Sequence, residues 1–225
     1  MTADRRVIWL ERCESTMIEA AVLAAEGAPH GTVVGADEQT AGQGRLGRAW
    51  HSEPGAGLYV SMVLRLPQAG LLTMALGLAT AEAIGVPCDL RWPNDVLIGR
   101  KKCAGILVMT EHGAFIAGIG INLNHTSFPP DLAEIATSLR IETGREQSRA
   151  VILDALLAAV DRWLAADRET ILEEFARRSS WVRGKRVVVE GVRGVTDGLD
   201  DRGFLWLRLD DGTRHRILAG GVREE

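Results

Sequence analysis

Cysteine is scarce in this chain, and the three present, Cys13, Cys88 and Cys103, are odd in number and show no C-x-x-C spacing. That argues against a disulfide frame and against a cysteine-based zinc site, and leaves reduced thiols in a cytoplasmic setting as the expectation. The opening stretch MTADRRVIWLERC lacks the long apolar core of a signal peptide. The most apolar run, Leu71 to Val86, is broken by Glu82 and is too short to cross a bilayer, so no membrane association is expected. Positive charge is not in excess either. A net charge of −4 excludes bulk electrostatic binding of nucleic acid or an anionic membrane, so any basic site must be local. Repeats, low-complexity tracts and flexible linkers are missing.

What is present is the ordinary mixture of a globular protein. The 225 residues are 46% hydrophobic and 25% charged, enough for one medium domain and a small one. Ser15 and Thr16 precede MIEAAVLAAEG, a helical composition with a capping side chain at its start and Gly27 where a C-cap belongs. Thr32 to Ala36 predicts a short strand, and a polar, glycine-rich loop runs from Glu38 to Trp50. Gly57 to Leu66 alternates and stops at Pro67, which predicts a second strand. Leu71 to Ile84 predicts a buried helix. Three more strands are expected: one ending with Leu97 and Ile98 at Gly99, then Gly105 to Thr110, then Ala114 to Ile121.

From Arg149 to Arg178 the apolar residues Ile152, Leu156, Leu157, Val160 and Leu164 fall at helical spacing, and the pattern breaks near Asp167. The character changes after Ser179. Lys185 to Val189, Phe204 to Leu209 and Thr213 to Leu218 are short strand-like runs divided by Asp- and Gly-rich turns, which predicts a small barrel. The domain boundary is expected near residue 180.

Gly42, Gly44 and Gly47 spell G-x-G-x-x-G, the pattern of a dinucleotide-binding turn. That turn works only where a helix starts inside it, because the pyrophosphate sits on the helix N-terminus. Here Arg48, Ala49, Trp50 and His51 follow, then Pro54, Gly55 and Gly57, then a strand, so a nucleotide-binding βαβ unit is not expected. What the loop does offer is close backbone approach and N–H donors for anions, with Arg45 and Arg48 set among them. An arginine fork matches carboxylate and phosphate oxygens. A solvated turn with two ordinary arginines is the plainer alternative.

Three further clusters carry candidate chemistry. Arg91-Trp92-Pro93-Asn94-Asp95 brings a fixed backbone, an apolar face and two polar side chains to one spot, although a capped turn would use the same residues. Arg100, Lys101 and Lys102 lead into the apolar run Ala104 to Val108, and Gly105 leaves room for a ligand beside Lys102. An ammonium there could neutralise a carboxylate and an α-phosphate as they approach, the kind of preplaced charge on which nucleotidyl transfer depends. Finally, Asn122 and Asn124 follow Gly118 and Gly120, two asparagines on one strand face that could read an adenine or ribose edge or tie down the strand end.

In this order the segments Glu14 to Thr16, Gln39 to Trp50, Arg91 to Asp95, Lys102 to Leu107 and Gly118 to Asn124 resemble the biotin protein ligases. The resemblance implies an α+β fold with an SH2-like catalytic domain over residues 1–180 and a small SH3-like barrel over 181–225. It implies an enzyme that activates biotin with ATP to biotinyl-5'-AMP and transfers it to a lysine of a biotin carboxyl carrier protein, such as that of acetyl-CoA carboxylase. Ser15, Thr16, Met17, Gln39, Gln43 and Gly44 would hold biotin. Arg48, Trp50, Asn94, Asn122 and Asn124 would hold the nucleotide. Arg45 and Lys102 would touch both and act in catalysis with Asp95, which would orient the acceptor lysine or help remove its proton. Mg²⁺ would arrive with ATP, with no protein ligand assigned.

The sequence departs from the family's usual pattern at Gln43, where a basic residue is common, at Met17, where an asparagine often stands, and at Thr110, where a glutamate often stands. Longer members begin with a helix-turn-helix domain. With Ser15 so near the start, none is expected, and neither is DNA binding. A homodimer is possible through an open sheet edge. The alternatives are a lipoate or octanoyl protein ligase or transferase, a DNA-binding regulator, and a biotin sensor without turnover.

Overall fold

A computed structural model of the chain describes residues 5–68 and 70–225. Seven strands form one sheet: β1 (Val7–Cys13), β2 (Thr32–Gln39), β3 (Gly57–Leu64), β4 (Asp89–Arg91), β5 (Asp95–Ile98), β6 (Lys101–Glu111) and β7 (Ala114–Asn122). Their order is β1-β2-β3-β7-β6-β5-β4, parallel only between β1 and β2. The helices are α1 (Thr16–Ala25), α2 (Leu72–Ile84), α3 (Leu139–Thr143), α4 (Arg149–Ala165) and α5 (Arg168–Arg177).

Strand β3 explains the layering. All eight of its residues are buried, and its two faces serve different ends because successive side chains point opposite ways. Leu58, Val60, Met62 and Leu64 join the large core made with α2 and α4. Val63 packs in a smaller cluster with Met17, Ala20 and Ala24 of α1, and Ser61 on the same face meets Thr16. One face of the sheet is therefore sealed with apolar side chains. The other carries α1 and a row of polar groups.

Helix α2 is buried at eleven of its thirteen positions, wedged between the sheet and the later helices, which is why it reads as apolar all round. The break expected near Asp167 is a cap: its carboxylate accepts from the Thr170 N–H at 2.8 Å and starts α5. Ser15 does the same for α1, its hydroxyl accepting from Met17 N–H at 3.3 Å. Two hairpins turn on His112-Gly113 and Glu190-Gly191, all four residues with positive φ, the conformation a two-residue hairpin requires.

A second, antiparallel sheet holds β8 (Arg183–Val189), β9 (Val192–Leu199), β10 (Leu205–Arg208), β11 (Arg214–Ile217) and β12 (Arg223–Glu224), in the order β11-β10-β9-β8-β12. Its inward residues Val187, Val189, Leu205, Leu207 and Ile217 belong to the same continuous core as the first sheet. Trp92, 3% exposed, crosses the seam and donates its indole N–H to the Gly203 carbonyl at 2.9 Å.

Several elements were not expected from the sequence. β1 is a partly exposed edge strand whose VIWLERC run shows no clean alternation. β4, β12 and α3 are too short to carry a pattern, and β9 is interrupted by glycine and aspartate. β3 ends at Leu64 rather than Leu66, and β7 ends at Asn122, so Asn124 lies beyond the strand rather than sharing a strand face with Asn122.

Trp92→Phe keeps the bulk but strands the buried Gly203 carbonyl, and should lower the unfolding free energy by about 1–3 kcal/mol. Trp92→Ala adds a cavity and should cost about 3–5 kcal/mol. Urea denaturation with a common slope for parent and variants checks both values.

Candidate active site

The polar face of the first sheet is roofed by the start of α1 and the end of β2. Gln39 organises it: its carbonyl oxygen accepts from the Thr16 N–H at 2.9 Å and from the Thr16 hydroxyl at 3.1 Å, while its amide donates to Ser52 Oγ at 2.9 Å. Thr16 and Ser61 hydroxyls meet at 2.8 Å. Of these, Thr16 and Gln39 line one wall of an open cavity of about 430 Å³ including its mouth, together with Ser15, Met17, Gln43 and Gly44.

The cavity floor is made of strand glycines. Gly118 and Gly120 lie two apart on β7, hence on one face, and Gly105 pairs with Gly120 across β6. A Cβ on Gly118 would fall 2.5 Å from Met17 Sδ, one on Gly120 2.5 Å from the Trp50 ring, and one on Gly105 2.9 Å from both Lys102 Nζ and Trp50. Side chains have been left off where the ring and the ammonium must lie flat on the sheet.

The loop from Gly42 to Trp50 folds back on itself: Gly44 N–H donates to the Arg48 carbonyl at 2.7 Å, and Trp50 N–H to the Gly42 carbonyl at 2.8 Å. Inside it is a single 3₁₀ turn, Arg45–Gly47, with Leu46 in the left-handed region. No α-helix starts there, so the glycine pattern is not a dinucleotide-binding turn. Trp50 ends the loop. It lines both the first cavity and an adjoining one of about 990 Å³ including its open mouth, and the two also share Gly44, Arg45, Asn94 and Lys102. Its buried Nε1 has no partner among the described residues, a donor free for a ligand acceptor.

Around the junction the charged groups are tightly arranged. Asp95 receives Lys102 Nζ at 2.6 Å on one oxygen and Arg91 Nη2 at 2.6 Å on the other. Burial works against its charge, but the Lys102 and Arg91 charges outweigh that and hold the carboxyl below the usual carboxylate range. Lys102 Nζ also lies 5.1 Å from the centre of the Trp50 ring. Arg45 reaches across to Asn94 Oδ1 at 2.8 Å and to the Gly220 carbonyl at 3.2 Å, and burial lowers its pKa. Asn94 donates in turn to the Ile106 carbonyl at 3.0 Å.

The structure thus gathers Ser15, Thr16, Met17, Gln39, Gln43, Gly44, Arg45, Trp50, Asn94 and Lys102 around the first cavity, and Arg45, Arg48, Trp50, Asn94, Asp95, Lys102 and Asn122 around the second. Asn124 lines neither. Its amide exchanges hydrogen bonds with the Gln147 backbone, at 3.0 and 2.8 Å, and ties the end of β7 to the approach of α4. Asn122, although in the second cavity wall, spends its amide on the Thr137 carbonyl at 2.9 Å. Ser61, Tyr59 and the apolar wall from Phe128 to Ala136 were missed, because nothing in their local sequence sets them apart. Gly220 and Gly221 were missed because they come from the second sheet's end of the chain.

A family profile described as "Biotin/lipoate A/B protein ligase family" matches residues 9–125. The chain belongs to this family. Within the family it is 34% identical to the bifunctional ligase/repressor BirA of Bacillus subtilis, over 93% of this chain and 71% of that protein. It is also 34% identical to the biotin–[acetyl-CoA-carboxylase] ligase of Paracoccus denitrificans, over 95% and 98%. Among solved structures, the biotin protein ligase of Aquifex aeolicus in complex with biotin and ATP superimposes with a TM-score of 0.87 at 30% identity, covering 98% of this chain and 99% of that one.

Asp95→Asn leaves two half-buried cations facing each other without their counter-charge and should destabilise the protein by about 1–3 kcal/mol. The parent carboxyl is depressed, so its contribution is complete above the ordinary carboxylate pKa and is lost as pH falls through the lower folded value. Denaturation midpoints measured from neutral pH downward should therefore show the variant penalty at neutral pH shrinking only in strong acid.

Proposed function

We infer that this chain is a biotin protein ligase, which activates biotin with ATP to biotinyl-5'-AMP and transfers the biotin to a lysine of a carrier protein. The observation that carries this reading is the pair of adjoining cavities whose shared lining includes Trp50, Lys102 and Arg45. A small acid in the first and a nucleotide in the second would bring their two anionic ends together beside both cations. Relatives and solved structures bearing the biotin activity support biotin over lipoate.

The hydroxyl and amide row of Ser15, Thr16 and Gln39, with Met17, Gln43 and Gly44, would bind the biotin rings. Donors and acceptors there suit a ureido group, which offers both. The biotin carboxylate then attacks the α-phosphate and pyrophosphate leaves. Lys102 and Arg45 stabilise the charge that develops, with Arg48, Asn94 and Asn122 around the nucleotide. We assign Asn124 a supporting role through Gln147. The only carboxylate lining either cavity among the described residues is Asp95, already committed to Lys102 and Arg91. Magnesium therefore enters as part of the ATP substrate, held by phosphate oxygens.

In the second step the carrier's lysine amine attacks the acyl carbon, an amide forms and AMP departs. An Asp95 carboxyl held this low is a weak proton acceptor, so we assign it to positioning Lys102 and the incoming amine rather than to deprotonation. The loop ending in Trp50 would keep water from the mixed anhydride. We read the two sheets as an SH2-like catalytic domain over 1–180 and an SH3-like barrel over 181–225. The acceptor, or a second copy of the chain, would dock along a sheet edge, β1 or β4. The reduced cysteines support a cytoplasmic setting.

The test is incubation with Mg-ATP and biotin, following pyrophosphate release and the mass of biotinyl-5'-AMP. Tight biotin binding without adenylate would make the chain a sensor, and release with lipoate instead would reassign the substrate. Lys102→Ala should lower adenylate formation by roughly 10²–10³, against a folded control checked by circular dichroism. A Cβ on Gly44 would press to 3.0 Å from the Arg48 carbonyl, so Gly44→Ser should open the loop. Single-turnover mass analysis should then find more biotinyl-5'-AMP free in solution than with the parent.

A further inference from the structure

At the edge of the second cavity, whose wall includes His51, the side chains of His51, Glu53 and His125, none of them given a role above, each place one ligand atom within 4.8 Å of the others. His51 and Glu53 sit two residues apart on the extended segment that leaves the loop after Trp50. His125 lies just past β7, fully buried, with Phe128 stacked on its ring at 5.0 Å and edge-on to His51 at 6.2 Å. His51 Nε2 and Glu53 Oε2 are 4.0 Å apart.

The hydrogen bonds around His125 favour one tautomer. Tyr59 has one hydroxyl proton, and the Glu53 backbone carbonyl, 3.1 Å away, is its nearer acceptor and can only accept. The Tyr59 oxygen, 3.3 Å from His125 Nε2, must then accept from an Nε2–H. In a neutral ring this leaves the lone pair on Nδ1, and Nδ1 is buried with no partner among the described residues. A dry, unpaired imidazole lone pair, oriented by a second residue through the opposite nitrogen, is the arrangement metal-bound histidines show.

We propose that His51, Glu53 and His125 form a site for a zinc-class divalent cation that fastens the end of the glycine loop to the end of β7. Two imidazoles and one carboxylate suit zinc, cobalt or nickel, and suit magnesium poorly because it prefers oxygen ligands. His125 is the fixed anchor. Its partners are the freer side chains, His51 half-buried and Glu53 exposed, so both can draw in to the roughly 2 Å that zinc requires, with water completing four ligands. The ion would brace the chain next to Trp50 without meeting the reacting atoms.

The experiment uses the whole chain, stripped with a chelator, and titrates Co²⁺ by its visible absorption with Zn²⁺ as competitor. One equivalent should bind. His51→Ala and Glu53→Gln, at the accessible positions, should each weaken binding at least tenfold, and Tyr59→Phe by about 10–100-fold through loss of the orienting bond. Zn²⁺ should also slow hydrogen exchange in residues 42–50 of the parent and not of His51→Ala. Cobalt spectra and affinities unchanged in His51→Ala and Glu53→Gln, or no binding by the parent, would overturn the proposal. Both readouts are independent of ligase turnover, so the site and the activity stand or fall separately.

Discussion

Lys102 and Arg91 converge on the two oxygens of Asp95 at 2.6 Å each, and all three belong to strands or turns of one corner of the sheet. Removing the counter-charge of half-buried ions is costly, so this grouping constrains its surroundings. It fixes the β4–β5 hairpin against the start of β6 and keeps Lys102 extended over Gly105. It also holds the ammonium within reach of the Trp50 ring. The cost of gathering charge in a partly buried corner is offset by its near balance. Lys102 can then turn toward an anionic ligand while Arg91 still neutralises Asp95.

The sheet supplies the other requirement, a flat floor. Three glycines on two adjacent strands remove every side chain where a ring and an ammonium must rest. The opposite face of the same strands is filled by α2 and α4, so the missing side chains do not leave the core underpacked. The second sheet is more than an appendage. Trp92 binds it to the β4–β5 turn, and the Gly220 carbonyl accepts from Arg45, so a loop residue of the first sheet's site is positioned in part by the far end of the chain.

Much of this could be read from residue order. Ser15 announces a helix start because a short side-chain oxygen satisfies N–H groups the helix cannot, a local effect that also makes Asp167, expected only as a break, the cap of α5. The run Ala114 to Ile121 reads correctly as a strand, since the period of two is local as well. The ordered segments from Glu14 to Asn124 pointed to the ligase family, within which the chain falls. The exposed edge strand β1 was not legible, because a strand with little burial on either face leaves no alternation to see. Asn124 misled for a related reason: the strand ends at Asn122, two residues before it, and the side chain turns to Gln147 instead.

The sequence by itself therefore determined most of the longer elements, the family and many of the residue types at the site. Each of those depends on neighbours in the chain, or on a pattern that order alone preserves. Which residues meet was decided only by the tertiary structure. Asp95 finds Lys102 across a β-bulge, Arg45 finds Gly220, and Tyr59 meets His125, whose ring lies 5.7 Å from that of His51. These contacts join positions that lie apart in the chain, and strand register and burial, not local propensity, bring them together.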